Sequence, residues 1–159
     1  MADFDFSELD ALAADLGKVA GNAGPLINSA VQVTAGKIKA AARESVKASG
    51  GFWQALPPAI DYDVKGAATV LGSLIQAEIG YKVGGAGSLG GIRELGAPNA
   101  PDVIIRRGKN GELDVIPIPG THMPRPPHND LANALHANED DFERGLLMAT
   151  EQAEREAGL

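Results

Sequence analysis

The chain has 159 residues and a formal charge of −7, from 14 basic and 21 acidic side chains. That length is enough to bury a hydrophobic core without disulfides or structural metal ions, and we expect a single domain over residues 1–159. A negative charge with no long basic run argues against a dedicated nucleic-acid-binding protein, whose affinity comes largely from Lys and Arg on phosphates. The sequence contains no cysteine, which excludes disulfides, thiolate metal sites and cysteine nucleophiles.

Apolar residues make up 44% of the chain but aromatic residues only 4%. Because much of the apolar share is alanine, we expect a thin core and some stabilisation by neighbouring subunits. The opening residues M-A-D-F-D-F are acidic, so no signal peptide is expected. No run approaches the length of a transmembrane helix, so no membrane partner is expected and the protein is expected to be made in the cytoplasm.

Two helices are expected in the N-terminal part of the chain. Apolar positions recur at helical spacing from Ser7 to Val19, which predicts a short amphipathic helix that stops at the glycines around Asn22. Pro25 suits the first position of a second, longer helix, since its missing N–H has no partner there. That helix is expected to run to Ser49-Gly50-Gly51 with one face formed by Val31, Thr34, Ile38, Ala41 or Ala42, and Ser45.

The segment F-W-Q-A-L-P-P, from Phe52 to Pro58, is predicted to be an extended, non-helical connector. Its aromatic pair is expected to plug the core. The alternative is a contact with a neighbouring subunit, because aromatic residues are enriched in interface cores. The candidate subunit-interface residues of the whole chain are Phe52, Trp53, Leu56, Ile92, Leu95, Asn110 and Gly111.

Two strands are predicted next. Apolar and polar residues alternate from Ile60 to Lys65, and a second strand is expected over Val70 to Val83, weak or bulged at Leu71-Gly72-Ser73. Asp61 and Asp63 would share one exposed strand face as solvated carboxylates.

A glycine-rich turn, Gly84 to Gly91, leads into a helical step of about one turn at Ile92 to Leu95 and a G-A-P-N-A-P loop. Gly85 to Gly90 matches G-x-G-x-x-G, the pattern whose glycines admit a pyrophosphate at the start of a long helix. Here the helix is very short, and the preceding strand pairs most naturally in a hairpin. A tightly packed or mobile loop is therefore favoured, with nucleotide binding as a remote alternative. Arg93 and Glu94 are expected to form a surface pair.

A β-hairpin is predicted from Val103 to Ile118, around Lys109-Asn110-Gly111, because Asn-Gly between two β-prone runs is a strong hairpin signal. Prolines flank it, so residues 102–121 are expected to form an arm that projects from the domain. After an extended proline-rich stretch, Asn129 or Asp130 is expected to cap a helix. Acids at Asn138-Glu139-Asp140-Asp141 predict a break and a new helix start.

Three histidines, His122, His128 and His136, lie near Asp130 and could in principle ligate zinc. No pair of them has the spacing of one helical face, so we expect neither a metal site nor a cofactor. There is no G-x-S-x-G elbow either. The residues alone predict no enzyme.

Six stretches of the chain, in order, resemble one known family. They are S-E-L-D-A-L-A-A-D-L (Ser7 to Leu16), the long helix from Pro25, F-W-Q-A-L-P-P-A-I-D-Y-D-V (Phe52 to Val64), E-I-G-Y-K (Glu78 to Lys82), G-S-L-G-G-I-R-E-L-G-A-P-N-A-P (Gly87 to Pro101), and P-P-H-N-D-L-A-N-A-L with E-D-D-F-E-R-G-L (Pro126 to Leu146). The combination resembles the gene-product-ten-like tail-component proteins of long-tailed bacteriophages, especially those of actinobacteria.

The resemblance implies an α+β domain in which a small antiparallel sheet packs on a long helix, with N- and C-terminal helices. It implies a ring, of about six copies by analogy with the family, at the junction of phage head and tail. DNA would pass through the ring without sequence readout, beside head-connector and tail proteins, with no catalysis and no cofactor. The expected location is the virion, after assembly in the host cytoplasm. A tail terminator, which caps the tail tube, is the alternative.

The chain departs from the family pattern in one place. In the family the glycine-proline loop runs almost directly into the proline-rich entry to the last helix, whereas here Asp102 to Thr121 intervenes and carries the hairpin. The family implies no role for this insertion, and we expect it to contact a neighbouring subunit or the next ring.

Overall fold

The computed structural model describes residues 7–66, 74–111 and 113–159, and the fold is α+β. A long N-terminal helix packs against small antiparallel sheets, and a helix ends the chain. The elements are α1 (Ser7–Ala48), β1 (Ile60–Lys65), β2 (Gln76–Tyr81), α2 (Gly90–Leu95), β3 (Ala97–Ala100), β4 (Val103–Arg107), β5 (Leu113–Pro117), β6 (Met123–Arg125), α3 (Asp130–His136) and α4 (Glu139–Ala157).

The described residues fall into two compact units, where the sequence predicted one domain. Unit 1 takes those within Met1–Thr34, Val64–Ala77 and Glu139–Leu159, and unit 2 takes Ala35–Asp63 and Glu78–Asn138. Helix α1 contributes residues to both units, so one continuous helix supplies a packing face to each.

Helix α1 is a single helix of 42 residues, so the predicted stop near Asn22 is wrong. Pro25 lies inside it, where proline removes a hydrogen bond and costs about 3 kcal/mol. The face predicted for the second half of the helix is confirmed at Val31, Thr34, Ile38 and Ala42, which are all buried.

The core of unit 2 forms around the last turns of α1. Ile38, Ala42 and Val46, spaced four residues apart on one helical face, pack in a cluster with Trp53, Leu56, Ile60, Leu89 and Ala134. The Phe52–Pro58 segment is not extended as predicted, because residues Gly51–Ala55 and Pro57–Ala59 form 3-10 turns. These turns direct Trp53 and Leu56 into the core, and the predicted aromatic plug is confirmed for Trp53.

Within the described residues, three two-stranded sheets follow the helix: β1 with β2, β3 with β6, and β4 with β5. The predicted strand from Val70 is found from Gln76 to Tyr81, and its part at 70–73 lies outside the described residues. The β3–β6 pair was not predicted: β3 was assigned to a loop, and the stretch from Met123 to His128 was predicted to be extended but without a partner strand. Each contains a proline and their register shifts between Ala97 and Ala100, as suits short edge strands.

The predicted hairpin is confirmed as β4 and β5, which pair antiparallel with Ile104 opposite Ile116 and Arg106 opposite Asp114. Its turn closes with the Gly111 N–H donating to the Gly108 carbonyl at 3.1 Å. Gly111 has a φ of 84°, so glycine carries the left-handed backbone that ends the turn.

The hairpin is not an arm free of the rest of the fold. Val103 and Val115, which lie on one of its faces, pack against the core cluster of unit 2. The other face, which bears Ile104 and Ile116, points away from that core, because alternate residues of a strand lie on opposite faces.

The predicted break before Glu139 is confirmed, because α3 ends at His136 and α4 begins at Glu139. The buried residues of α4 are Ala149, Ala153 and Ala157, spaced four apart, so the helix packs through small side chains as the composition predicted. A Cβ on Gly145 would lie 3.6 Å from that of Ala30, in ordinary van der Waals contact. Among the described helices, none is both long and apolar enough to cross a membrane.

Candidate interaction site

A buried ion pair lies inside unit 2, where α2 meets α3. Arg93 Nε donates to Oδ2 of Asp130 at 2.5 Å, and Arg93 Nη2 donates to Oδ1 at 3.1 Å. The two side chains are only 1% and 2% exposed. Two N–H groups of one guanidinium on one carboxylate form the strong, orientation-specific version of this pair. The pair therefore fixes α2 against α3.

Ser45 of helix α1 and Ser49, just beyond its C-terminal end, add two hydroxyls to this pair. Ser45 Oγ donates to Asp130 Oδ1 at 2.5 Å, and Arg93 Nη2 donates to Ser49 Oγ at 2.6 Å. The two serines lie four residues apart and so share a face of the helix. Three helices thus meet at one polar cluster, which we call the Arg93–Asp130 centre (Arg93, Asp130, Ser45 and Ser49).

Two aromatic rings border the Arg93–Asp130 centre. The Cζ atom of Arg93 lies 5.1 Å from the centroid of the Trp53 ring, at cation–π distance. The His128 ring meets Trp53 edge-on, with 5.9 Å between the ring centroids. The backbone N–H of His128 donates to the backbone carbonyl of Arg93 at 2.9 Å. The electron-rich face of Trp53 offsets part of the cost of burying the guanidinium, whose Nη1 makes no hydrogen bond to the described residues.

The protonation states around the centre are fixed by their surroundings. Burial alone would raise the pKa of Asp130, but the hydrogen bonds from Arg93 and Ser45 and the charge of Arg93 outweigh it, so this pKa lies below its usual value. Burial raises the pKa of Tyr81 far above the usual value, and the carboxylates of Glu94 and Asp130 raise it further. Near neutral pH, Asp130 is therefore charged and Tyr81 is neutral.

Glu94, the neighbour of Arg93, caps α3. Its carboxylate accepts the Leu131 N–H at 3.0 and 3.2 Å and the Ala132 N–H at 3.1 Å. These N–H groups have no partner within the helix, and a negative charge is favourable at a helix N-terminus. Asn129 precedes the helix in the left-handed conformation without a side-chain cap hydrogen bond. The predicted cap by Asn129 or Asp130 is therefore wrong.

The predicted surface pair of Arg93 and Glu94 is also wrong, since each side chain reaches α3 instead. Sequence reasoning missed this centre because Arg93 and Asp130 are 37 residues apart. One signal was available: Ser45 falls on the largely apolar face predicted for the long helix, where a buried hydroxyl needs a polar partner.

The glycine-rich turn packs tightly against its own chain. A Cβ on Gly87 would lie 1.8 Å from the Lys82 carbonyl oxygen, and one on Gly90 would lie 2.1 Å from the Tyr81 ring. The helix that follows, α2, has six residues, as the short helical step predicted. The tightly packed loop is confirmed, and close approach to β2 explains why glycine stands at these positions.

Asp61 is more than a solvated carboxylate. It accepts hydrogen bonds from Lys39 at 2.6 Å and from the Tyr62 N–H at 3.0 Å, and it pairs with Lys82 at 2.8 Å. The hydrogen bonds from Lys39 and Lys82 hold its pKa far below the usual value. Asp61 and Lys82 line a shallow open groove over β1 and β2 together with Tyr62, Asp63, Glu78 and Tyr81.

The candidate interface residues divide into buried and exposed sets. Leu56 is fully buried in its own chain and Trp53 nearly so, which leaves both with little surface for a partner. Ile92 is half-buried against the core, and the Phe52 side chain lies outside the described set. Among the candidates whose side chains are described, three offer substantial surface, namely Leu95, which is 79% exposed, and Asn110 and Gly111 at the hairpin turn.

Two exposed apolar surfaces lie on the hairpin and on α4. On the outer face of the hairpin, Ile104 and Ile116 lie side by side and are 54% and 40% exposed. Arg106 lies on the same face opposite Asp114, so this face carries one charge of each sign. On α4, Leu147 and Met148 are 65% and 62% exposed. The 19 residues of α4 include seven acids and two arginines.

The histidines do not gather into a metal site. Asp130 is committed to Arg93 and Ser45, and His128 packs on Trp53. Over residues 7–66, 74–111 and 113–159, no group of three or more His, Cys, Asp or Glu is placed to hold a metal ion.

Comparison with known proteins found no matching family model, no matching curated protein and no matching solved structure.

Proposed function

We propose that this chain is a structural protein of the phage neck, which forms a ring at the junction of head and tail. The ring joins or completes the tail and lets DNA pass through its lumen without reading its sequence. Its neighbours are further copies of the chain, a head-connector protein and a tail protein. About six copies would form the ring, by analogy with the family that the sequence resembles.

One observation carries the proposal. Two of the segments on which the resemblance rests, Gly87 to Pro101 and Pro126 to Leu146, meet in unit 2 through three short contacts. Arg93 of the first binds Asp130 of the second, Glu94 caps the helix that starts there, and the His128 N–H donates to the Arg93 carbonyl. Residues quoted for the resemblance therefore fix these two segments to each other.

The position of the insertion supports the same view. The hairpin joins the two segments, and both its ends lie beside the β3–β6 pair, where Arg125 Nη2 donates to Asp102 Oδ1 at 2.8 Å. An insertion between two segments that are fixed to each other changes a surface without disturbing the framework, as surface loops commonly do. The coarse architecture, a long helix against small antiparallel sheets, is also the one that the resemblance implies.

The proposal is tested by placing a stop codon at Trp53 in the phage genome that encodes the chain. Lysates are then examined by electron microscopy, with wild-type chain supplied from a plasmid as the control. DNA-filled heads lying apart from tails of normal length are the expected result. Tails of uncontrolled length would support the tail terminator instead, and intact infectious particles would contradict both roles.

A further inference from the structure

We infer that α1 carries a hinge at residues 21–25, about which its first part changes direction while the rest of the helix stays intact. Residues 7–20, which precede the hinge, are called the leading segment below. This motion lies within one chain and is independent of the neck role. Leu12 and Leu16 lie on the leading segment and are 46% and 54% exposed, so the hinge sets the direction in which these two leucines are presented.

Pro25 makes the helix weak at the hinge. It has no backbone N–H, so the carbonyl of Gly21, four residues earlier, lacks its usual helical partner. Proline also disfavours the helical conformation of the residue before it, which is Gly24. If the chain leaves the helix at Gly24, Pro25 becomes the first residue of the helix that remains, a position that suits proline. Bending at this point therefore removes the cost of an internal proline.

Two glycines of α1 near Pro25 have no packing role. A Cβ on Gly17 or on Gly21 would meet no described atom within 4 Å, apart from the neighbouring backbone of the helix itself. Alanine would therefore fit at both positions, and glycine lowers the stability of a helix relative to alanine. Gly87 and Gly90 differ, because close neighbours leave no room for a side chain there. The glycines of α1 thus add backbone freedom at and before the hinge without being required by space.

The leading segment is held by few buried side chains. Over residues 11–21 no residue is buried, and only Asp15 and Val19 are half-buried. Beyond the hinge the same helix buries Val31 and Thr34. Helix α4, which also belongs to unit 1, fully buries only alanines, and these remove little apolar surface from water. The leading segment can therefore change direction at a small cost in buried surface.

The hinge is tested by measuring a distance across it. The chain has no cysteine, so Ala11→Cys with Ser29→Cys provides two unique sites for spin labels. Both positions are exposed, and they lie about five helical turns apart on one face of α1, so a straight helix would hold them about 27 Å apart. Double electron–electron resonance of the full chain gives the distribution of this distance. Labelled chain is diluted with unlabelled chain, so that only distances within one copy are measured.

Three further substitutions are made in the labelled chain: Pro25→Ala, Gly21→Ala and, as the matched control, Gly36→Ala. Gly36 lies in the same helix, beyond the hinge and outside the labelled pair. A Cβ at Gly36 would also meet no described atom within 4 Å, so the control makes the same chemical change in the same kind of surroundings. Circular dichroism checks that each variant is folded.

Before these substitutions, the labelled chain is expected to show a broad distribution that includes distances well below about 27 Å. Gly21→Ala is expected to lower the ratio of bent to straight molecules about fivefold, and Pro25→Ala at least about tenfold, because each raises helix propensity at the hinge. Gly36→Ala is expected to leave the distribution unchanged.

Three results would each show that α1 has no hinge at residues 21–25. The first is a single narrow distance of about 27 Å before substitution. The second is a distribution that does not narrow in Pro25→Ala. The third is equal narrowing in Gly21→Ala and in the Gly36→Ala control, because the effect would then belong to the whole helix.

Discussion

The interior of unit 2 and the outer face of its hairpin reverse the usual distribution of side chains. The interior holds a charged pair, Arg93 and Asp130, at 1% and 2% exposure, whereas the hairpin places Ile104 and Ile116 at the surface. Burying a charged pair is costly unless its hydrogen bonds are made, and exposing adjacent isoleucines forgoes the gain of burial. The two regions therefore do different work: the first specifies how three helices meet, and the second is available to another molecule.

Of the substitutions considered, the one at the buried ion pair is expected to change the free energy of unfolding most. Asp130→Ala leaves the Arg93 guanidinium buried without its counter-charge and is expected to lower the free energy of unfolding by about 3–5 kcal/mol. Urea unfolding of the purified chain measures this. As the control, Arg106→Ala removes an exposed arginine that lies 3.9 Å from Asp114 and is expected to change stability by less than about 1 kcal/mol.

A double variant sharpens the interpretation. Arg93→Met with Asp130→Leu removes both charges, so it is expected to cost less than Asp130→Ala alone, because no unpaired charge stays buried. If the single and double variants were equally destabilised, packing and not the ion pair would hold the three helices together.

The second prediction compares two leucines that were both proposed as interface residues. Leu56→Ala removes a fully buried side chain from the core and is expected to cost about 2–5 kcal/mol. Leu95→Ala, at a 79% exposed position, is expected to stay within about 0.5 kcal/mol of the wild type. Thermal unfolding of both variants checks this, and equal losses would contradict the contrast between a core leucine at position 56 and a surface leucine at position 95.

The third prediction concerns the cap of α3. Glu94→Ala leaves the Leu131 and Ala132 N–H groups without their acceptor and is expected to cost about 0.5–2 kcal/mol in urea unfolding. Glu94→Gln keeps an acceptor oxygen and is expected to retain most of that stability. A glutamine variant as unstable as the alanine variant would show that the charge, and not the hydrogen bonds, makes the cap.

The smallest effect on stability is expected at Asp61. This carboxylate belongs to a partly exposed ion cluster, unlike the buried pair of Arg93 and Asp130. Its folded-state pKa is depressed, so its contribution is fully present above the unfolded-state value, about 4, and is lost as the pH falls below that value. Asp61→Asn is therefore expected to be less stable than the wild type at neutral pH and to approach it on acidification. Asp63→Asn, on the same strand, is the control. Parallel pH curves for wild type and Asp61→Asn would contradict the assignment.

The accuracy of the sequence predictions follows the range of the interactions behind them. The hairpin at Asn110-Gly111 and the helix break at Glu139 are confirmed because each depends on neighbouring residues. The β3–β6 pair and the Arg93–Asp130 centre were missed, because each joins segments more than twenty residues apart that have no local signal. The stop predicted near Asn22 failed for the opposite reason, since local glycine and proline signals were overridden by the rest of the helix.

The candidate interface residues also show which features the sequence predicts and which depend on the fold. Aromatic and apolar residues in sequence look alike whether they belong to a core or to an interface, and the fold assigns Trp53 and Leu56 to the core. The hairpin turn was recognised as exposed, but the isoleucine pair beside it was not selected. Its significance depends on register, because Ile104 and Ile116 become neighbours only when the strands pair.

The central claim, that the chain is part of the phage neck, is tested most directly by locating it in assembled particles. Purified phage are labelled with antibodies raised against the chain and examined by immunoelectron microscopy, with particles from a Trp53 stop-codon lysate as the control. The account predicts label at the junction of head and tail in wild-type particles and none in the control. Label along the tail shaft, on the capsid surface or on no particle at all, including particles whose tails have been detached to expose the junction, would contradict it.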